Sequence, residues 1–340
     1  MDFIHVTFFS DLKNRHGGVK RSDQIKELLE NYIKFSINPN SSLEDSIKSI
    51  FKFPIVSIRL FLKSIDLYFF KGVKLRACII FSLRYVSFFN LVIKNKKNTF
   101  LFEGGNAMSL LLLDYLKSLK INYYVFTHNI EFLVNQLEDP IFRSNQKKYK
   151  LEINSYKYAK GLFTISDFDK ALLSCVGINS IVLPYYPCNK DEKFLSNIYK
   201  KRSKSKNKSI ILLLGTVINN PTKIGLINVL KKINIQNDKY KIIVAGYGTE
   251  YLNNFASEKI KILGSISDKK LEKIMIKSKF LIVNQPQTTG FLTKLVEFNL
   301  AGIPVVVLSD YIQSHHLERF GIFKISYDKL GSNLTENFKA

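Results

Sequence analysis

A chain of 340 residues is long for one compact domain and comfortable for two of roughly 150–180 each. Its 46% hydrophobic and 13% aromatic content can fill real cores, which excludes a disordered chain, and three scattered cysteines without a C-x-x-C (Cys78, Cys175, Cys188) exclude a disulfide framework and fit a reducing cytosol. A formal net charge of +23 suits phosphate-bearing partners (nucleotide, nucleic acid or anionic lipid), although heavy joint use of Lys, Asn and Ile makes that charge permissive rather than diagnostic.

The first residues have no basic n-region and read as a strand, Phe3–Phe9, not as a signal peptide. A loop from Ser10 to Gly18 ends in Gly17-Gly18, where a backbone can approach a ligand closely, and a helix is predicted over Val19–Ile33 with Arg21 in its first turn. Residues 43–97 form a predominantly helical insert in which apolar and basic residues interleave, as in Ile47, Lys48, Phe51, Lys52, Arg59, Leu60, Phe61 and Lys63. Basic amphipathic helices with aromatics favour an anionic membrane surface; the same pattern also fits helices packed on a sheet with their lysines in water. No apolar run reaches the roughly 18–20 residues of a membrane span, and the longest, Cys78–Ile93, contains Arg84.

Thr99–Phe102 is predicted as a strand ending in the loop Glu103-Gly-Gly-Asn106, and Tyr123–Thr127 as another, ending in His128-Asn129-Ile-Glu131. Loops at the carboxyl ends of parallel strands are where open α/β sheets bind ligands, and a histidine there can donate to a sugar hydroxyl or a developing oxyanion. A polar helix over Ile141–Ala159 leads to the strand Gly161–Ser166 and a helix capped by Ser166 or Asp167. The run 188–208, with Lys200-Lys-Arg-Ser-Lys-Ser-Lys-Asn-Lys208, reads as a solvated connector, since it lacks the aromatics expected of a nucleic-acid-binding segment.

From Ile210 strands and helices alternate regularly, with glycine or polar loops at Gly215-Thr216, Gly246-Tyr-Gly248 and Gly264-Ser265. None is a G-x-G-x-x-G or a P-loop. The chain is organised around a strand at Phe280–Asn284, a polar loop, a helix over Leu292–Ala301 and a second buried strand at Val305–Leu308. Gly302 is placed for a left-handed C-cap, and Pro304 stops the helix. Lys294 lies in the helix's first turn, where the macrodipole disfavours a cation unless an anion is held there by the N–H groups around Thr289–Leu292. Glu297 follows one turn later and can accept from a ribose diol; the two also read as an ordinary i,i+3 surface pair. His315-His316 make a poor metal pair, and no metal site is expected.

Gly290-x-x-x-Lys294-x-x-Glu297 followed by Ala301-Gly302-x-Pro304-Val305-Val306 resembles the donor-site signature of GT-B-fold glycosyltransferases, in particular the large retaining bacterial family with a Glu-x7-Glu motif. Gly17-Gly18, His128-Asn-x-Glu131 and Tyr158–Asp167 resemble first-domain motifs of the same family. The resemblance implies an α/β, GT-B-like fold of two Rossmann-like domains with parallel sheets facing across a cleft. It divides the chain into 1–187, an acceptor-side domain carrying the insert 43–97; a linker, 188–208; 209–312, a nucleotide-sugar domain; and a tail, 313–340, packing back on the first domain.

It further implies that Lys294 binds the diphosphate, Glu297 the ribose, and His128 lies near the donor sugar, these three forming the catalytic set. Gly215, Thr216 and Lys223 would line the phosphates, the Gly264-Ser265-Ile266 loop the base, and Thr288, Thr289, Gly290, Phe291, Leu292 and Leu295 the rest of the donor site. Gly17, Gly18, Arg21, Glu103, Asn106, His128 and Glu131 would lie on acceptor-side loops. Thr289 stands where the first glutamate of the motif falls; that glutamate contacts the donor sugar, so sugar and stereochemistry stay open. The expected activity is metal-independent hexosyl transfer, retaining in this family, from a UDP- or GDP-sugar to a glycan or lipid-linked acceptor in surface polysaccharide synthesis, with no other cofactor and no nucleic-acid partner. It is placed in the cytoplasm, peripheral to the inner face of the plasma membrane. The rivals are a catalytically silent partner of the same fold and a basic nucleic-acid-associated protein.

Overall fold

The computed structural model describes residues 3–9, 17–104, 106–134, 139–217, 219–233, 240–285, 290–308 and 322–324. The chain forms two compact units, Met1–Tyr185 with Thr288–Phe291, and Tyr186–Gln287 with Leu292–Ala340.

In the first unit six parallel strands, β1 (Phe3–Val6), β2 (Ile33–Ile37), β3 (Thr99–Gly104), β4 (Tyr123–Thr127), β5 (Gly161–Thr164) and β6 (Ile181–Val182), lie in the order β2-β1-β3-β4-β5-β6. β3 is buried at every position, which is why it runs apolar from Phe100 to Phe102. The helix predicted over Val19–Ile33 ends earlier: α1 spans Gly17–Leu28, and Ile33–Ile37 turns into the edge strand β2. The alternation Ile33, Lys34, Phe35, Ser36, Ile37, with Lys34 and Ser36 outward, is the period-2 signal of a half-covered edge.

The insert folds as α2 (Leu43–Lys52), α3 (Pro54–Phe69), α4 (Leu75–Arg84) and α5 (Val86–Lys94). Phe81 of α4 and Phe89 of α5 meet Tyr115 of α6 (Ala107–Ser118) at centroid distances of 6.2 and 4.4 Å, which locks the insert to the core. Leu110 through Leu113 of α6 are all buried, so this helix is covered on every side. α7 (Asn145–Tyr158) and α8 (Asp167–Cys175) complete the unit, with Ser144 and Ser166 as N-caps.

The second unit orders β7 (Ile210–Leu214), β8 (Lys241–Ala245), β9 (Ile260–Ile262), β10 (Ser278–Val283), β11 (Val305–Val307) and β12 (Ile322–Lys324) as β12-β11-β10-β7-β8-β9, all parallel. Its helices are α9 (Asn189–Lys204), α10 (Asn220–Lys232), α11 (Asp268–Lys277) and α12 (Thr293–Leu300). The segment 188–208 is therefore not the solvated connector that its Lys/Ser/Asn content predicts. Leu195, Ile198 and Arg202 recur at i, i+3, i+7 and are buried, giving α9 one face that packs on α11 and α12. Arg202 donates to the carbonyls of Gly302 (2.8 Å), Met275 (3.2 Å) and Ser278, satisfying groups that helix ends leave without partners.

In both sheets the first strand has neighbours on each side, so the connections reverse direction between β1 and β3 and between β7 and β10. Crevices at such switch points are the usual ligand sites of open α/β sheets.

Candidate functional site

The carboxyl end of the second sheet is built from close backbone approaches. Gly246, at φ +128°, carries a hydrogen atom where a Cβ would lie 2.1 Å from the Gly215 carbonyl oxygen, and its N–H donates to Gly264 O at 2.9 Å. On the other side of β7, a Cβ on Gly225 of α10 would lie 1.5 Å from the Asn284 carbonyl oxygen. The Asn284 amide returns a hydrogen bond to Gly225 O at 3.0 Å, and buried Thr222 donates to Gln285 Oε1 at 3.4 Å. α10 is thus drawn backbone to backbone against the end of β10.

Lys294 enters this crevice from the first turn of α12. Its ammonium donates to Leu214 O at 3.2 Å, at the end of β7, so the side chain spans the β7–β10 switch point. Burial lowers its pKa to about 8, and among the described residues no carboxylate raises it again. A partly desolvated cation beside the start of a helix is a place for an anion. Glu297 is buried on the same helix; Gly302, at φ +67°, takes the left-handed position after it.

Other expected donor residues fall differently. Gly215 and Thr216 are half-buried after β7. Lys223 is not on a loop but exposed in the first turn of α10, because Pro221 starts that helix early. Gly264 is buried at φ +64°, Ser265 is exposed and Ile266 half-buried. Leu292 precedes α12 and Phe291 is half-buried beside it, whereas Leu295 is a core residue, wholly covered, and offers no surface to a ligand. Thr288 and Thr289 lie outside the described residues.

In the first unit the switch point between β1 and β3 holds a polar cluster. Glu103, expected on a loop, instead lies within β3 and is fully buried, because four side chains satisfy it. His5 Nε2 contacts its Oε1, His128 Nε2 lies 3.1 Å from its Oε2, and Thr7 and Ser22 donate hydroxyls at 3.0 and 2.9 Å. Burial would raise this carboxyl, but the hydrogen bonds from His128 and His5 prevail and hold it well below the usual carboxylate range. The His128 ring stacks on Phe9 at 4.6 Å.

Gly290 comes to the same unit. At φ +85° its Cβ position lies 2.5 Å from the His128 carbonyl oxygen. Its N–H is not open to an anion, as expected of this loop, but points at both carboxylate oxygens of Asp169, at 3.3 and 3.2 Å. Desolvation pushes Asp169 up to about 6. The structure therefore brings Gly290, His128 and Glu103 together.

Arg21 and Glu131, expected on acceptor-side loops, are both buried. Arg21 is buried on α1 and donates to the carbonyls of Leu183 (2.6 Å) and Pro184 (3.2 Å). Glu131 is buried beside Glu152, which accepts from the N–H groups of Glu131 and Phe132 and from the Tyr156 hydroxyl. Desolvation pushes both carboxyls up, and at Glu131 the charge of Glu152 adds to it. Gly17 and Gly18 begin α1, and Asn106 caps α6, accepting from Ser109 N–H at 2.9 Å. The residues that sequence reading passed over are His5, Thr7, Ser22, Asp169, Gly225 and Gln285. His5 and Thr7 carried a signal, being polar positions inside the buried segment Ile4–Phe8.

The Glu131–Glu152 pair has a consequence for pH. Because the native carboxyls hold protons above the ordinary value of 4.5, the folded state binds more protons than the unfolded one, and stability falls as pH rises above it. Glu131→Gln should flatten that fall in denaturation curves between acid and weakly alkaline pH; an unchanged slope would clear the pair of the effect.

No family model matches the chain, and no curated protein matches it in sequence. Solved structures match it in fold. Sucrose-phosphate synthase from Thermosynechococcus elongatus superposes with a TM-score of 0.62 at 10% identity, covering 96% of this chain and 86% of that one. Anabaena HepE in complex with UDP-glucose gives 0.54 at 12% identity, covering 99% and 90%. UDP-GlcNAc 2-epimerase from Methanocaldococcus jannaschii, in complex with UDP-GlcNAc and UDP, gives 0.53 at 14% identity, covering 96% and 88%. With its two parallel six-stranded sheets, each flanked by helices, the chain has a GT-B-like fold of two Rossmann-like units.

Proposed function

We propose that the protein is a glycosyltransferase that moves a sugar from a nucleotide diphospho-sugar to a glycan or lipid-linked acceptor, in the synthesis of a surface polysaccharide or glycoconjugate. The observation that carries this reading is Lys294: an ammonium partly withdrawn from water at the β7–β10 switch point, with Leu214 O as its hydrogen-bond partner. A departing nucleoside diphosphate gathers negative charge, and a preorganised cation there lowers the barrier because it binds the transition state more tightly than the donor. In this proposal Lys294 meets the diphosphate, Glu297 the ribose hydroxyls, Gly215 and Thr216 the phosphates, and the Gly264–Ile266 turn the base. His128, steered by Glu103, contacts the sugar near its reacting carbon. Lys294 takes the charge-neutralising role that a metal fills elsewhere. Uridine is our first choice of base, since the similar folds of HepE and the 2-epimerase carry uridine nucleotides.

A thermal-shift and calorimetric titration with UDP, GDP, ADP, CMP and their sugars tests it. One nucleotide family should bind saturably, and Lys294→Ala should weaken it about 10- to 100-fold, the worth of one charge-assisted hydrogen bond. Affinity should also fall as pH passes about 8, where the free Lys294 ammonium loses its proton. Binding that Lys294→Ala leaves intact would move the diphosphate elsewhere. Saturable binding without sugar transfer would favour a silent partner of the same fold, and no binding of any nucleotide sinks the reading.

A further inference from the structure

The insert between β2 and β3 exposes far more apolar surface than packing requires. α3 is apolar on two opposite sides. Val56, Leu60 and Leu67 are buried, and about half a turn away Ile55, Ile58, Leu62, Ile65 and Phe69 form a second stripe at i, i+3, i+7, i+10, i+14 that lies open to solvent. α2 and α4 carry exposed stripes of their own, Leu43, Ile47 and Phe51 on the first and Leu75, Ile79 and Leu83 on the second. Phe51 is 82% exposed and Phe69 69%. α2, α3 and α4 pack on one another, so the stripes belong to a single helical layer. Soluble surfaces seldom leave this many large side chains uncovered.

The charge pattern selects the occupant. Exposed basic residues directly follow exposed apolar ones, as Lys48 follows Ile47, Lys52 Phe51, Arg59 Ile58, Arg76 Leu75 and Arg84 Leu83, which sets a cation about 100° round each helix from its stripe. Residues 43–97 hold eleven Lys and Arg against three acidic residues. Two copies meeting through these helices would set one basic rim against another. A nucleic acid would answer the charges but give Ile55, Ile58, Leu62 and Ile65 nothing apolar to bury against. A bilayer with anionic headgroups answers both.

We infer that α2, α3 and α4 are a membrane-docking surface that lies in the interface of an anionic bilayer, with Phe51, Phe61 and Phe69 inserted and the flanking Lys and Arg at the headgroups. The layer lies on the membrane rather than crossing it. No described helix is long and apolar enough to cross alone. α4 and α5 would pass together, but they are bent by 54°, and α5 buries Val86, Phe88, Phe89 and Val92 in the unit's own core. The inference stands apart from the proposed sugar transfer, since it concerns binding alone.

Flotation with vesicles of phosphatidylcholine alone, and of phosphatidylcholine with phosphatidylglycerol, tests it. The protein should float with the second and not the first, and added salt should weaken it. The variant Phe51→Ser/Phe61→Ser/Phe69→Ser, all at exposed positions, should keep its circular dichroism and melting temperature and lose at least about tenfold in vesicle affinity. Flotation unaffected by the triple substitution overturns the inference, as does failure to float with either vesicle. A dimer in light scattering that the triple variant turns into a monomer, without vesicle binding, overturns it in favour of an interface between copies.

Discussion

Glu103→Ala is expected to cost about 3–5 kcal/mol of stability, the usual penalty for removing one member of a buried charged network. The carboxylate is fully buried and receives His5, His128, Thr7 and Ser22. Alanine leaves two imidazoles and two hydroxyls facing a hole with no acceptor, and each buried group left unpaired carries its own desolvation cost. Glu103→Gln keeps the shape and loses the charge, so it should be milder, and its amide donor cannot accept from every partner. Urea denaturation of the three proteins gives the ordering. Equal stability of wild type and Glu103→Ala would mean that the cluster contributes little.

The same carboxyl also gives acid sensitivity a sign. A native pKa held below the unfolded value of 4.5 contributes stability that is complete above that value and is lost as pH falls below it. Glu103→Gln should remove that part of the acid transition. Because Glu103 also orients His128, Glu103→Gln should lower the turnover of the proposed transfer more than it changes the donor's Kd.

Gly225→Ala is the second large effect, at about 3 kcal/mol or more, at or above the upper end of overpacking costs. In most helix interiors this substitution would help, since alanine is the better helix former by about 1 kcal/mol. Here the new methyl would sit 1.5 Å from the Asn284 carbonyl oxygen, which is backbone and cannot rotate away. α10 would have to lift from the end of β10, breaking the Asn284–Gly225 and Thr222–Gln285 hydrogen bonds. A melting temperature equal to or above wild type would show that the approach is looser than described. Since the same shift disturbs the end of β10, which pairs with β7 where Lys294 holds Leu214 O, nucleotide binding should weaken with stability.

Much of the architecture was legible because its signals are local. Strands covered on both faces must be apolar throughout, so Ile210–Leu214, Phe280–Val283 and Val305–Val307 announce themselves. A left-handed Gly302 with Pro304 beyond it marks the end of α12 by backbone sterics alone. Lys294 in a first helical turn stood out for a local reason too, a cation where the helix dipole opposes one. Local pattern failed where the partner was distant. The basic run of α9 read as solvated because its hydrophobic face has few residues, and it becomes a packed helix only when Arg202 finds the carbonyl groups of Met275, Ser278 and Gly302.

By itself, then, the sequence determined the alternation of strand and helix and the place of Lys294, since periodicity, capping and backbone sterics act within a few residues; the GT-B-like class entered through the resemblance of the Gly290–Val306 motif. Only the tertiary structure decided the His5–Glu103–His128 cluster, whose members stand 98 and 25 residues apart and meet because β1, β3 and β4 are adjacent through crossovers. It likewise decided that Gly290 serves Asp169 and His128, and that α2, α3 and α4 turn an apolar face outward. A side chain's neighbours across a sheet, and which of a helix's two apolar sides is covered, depend on how elements dock, and no local pattern encodes that.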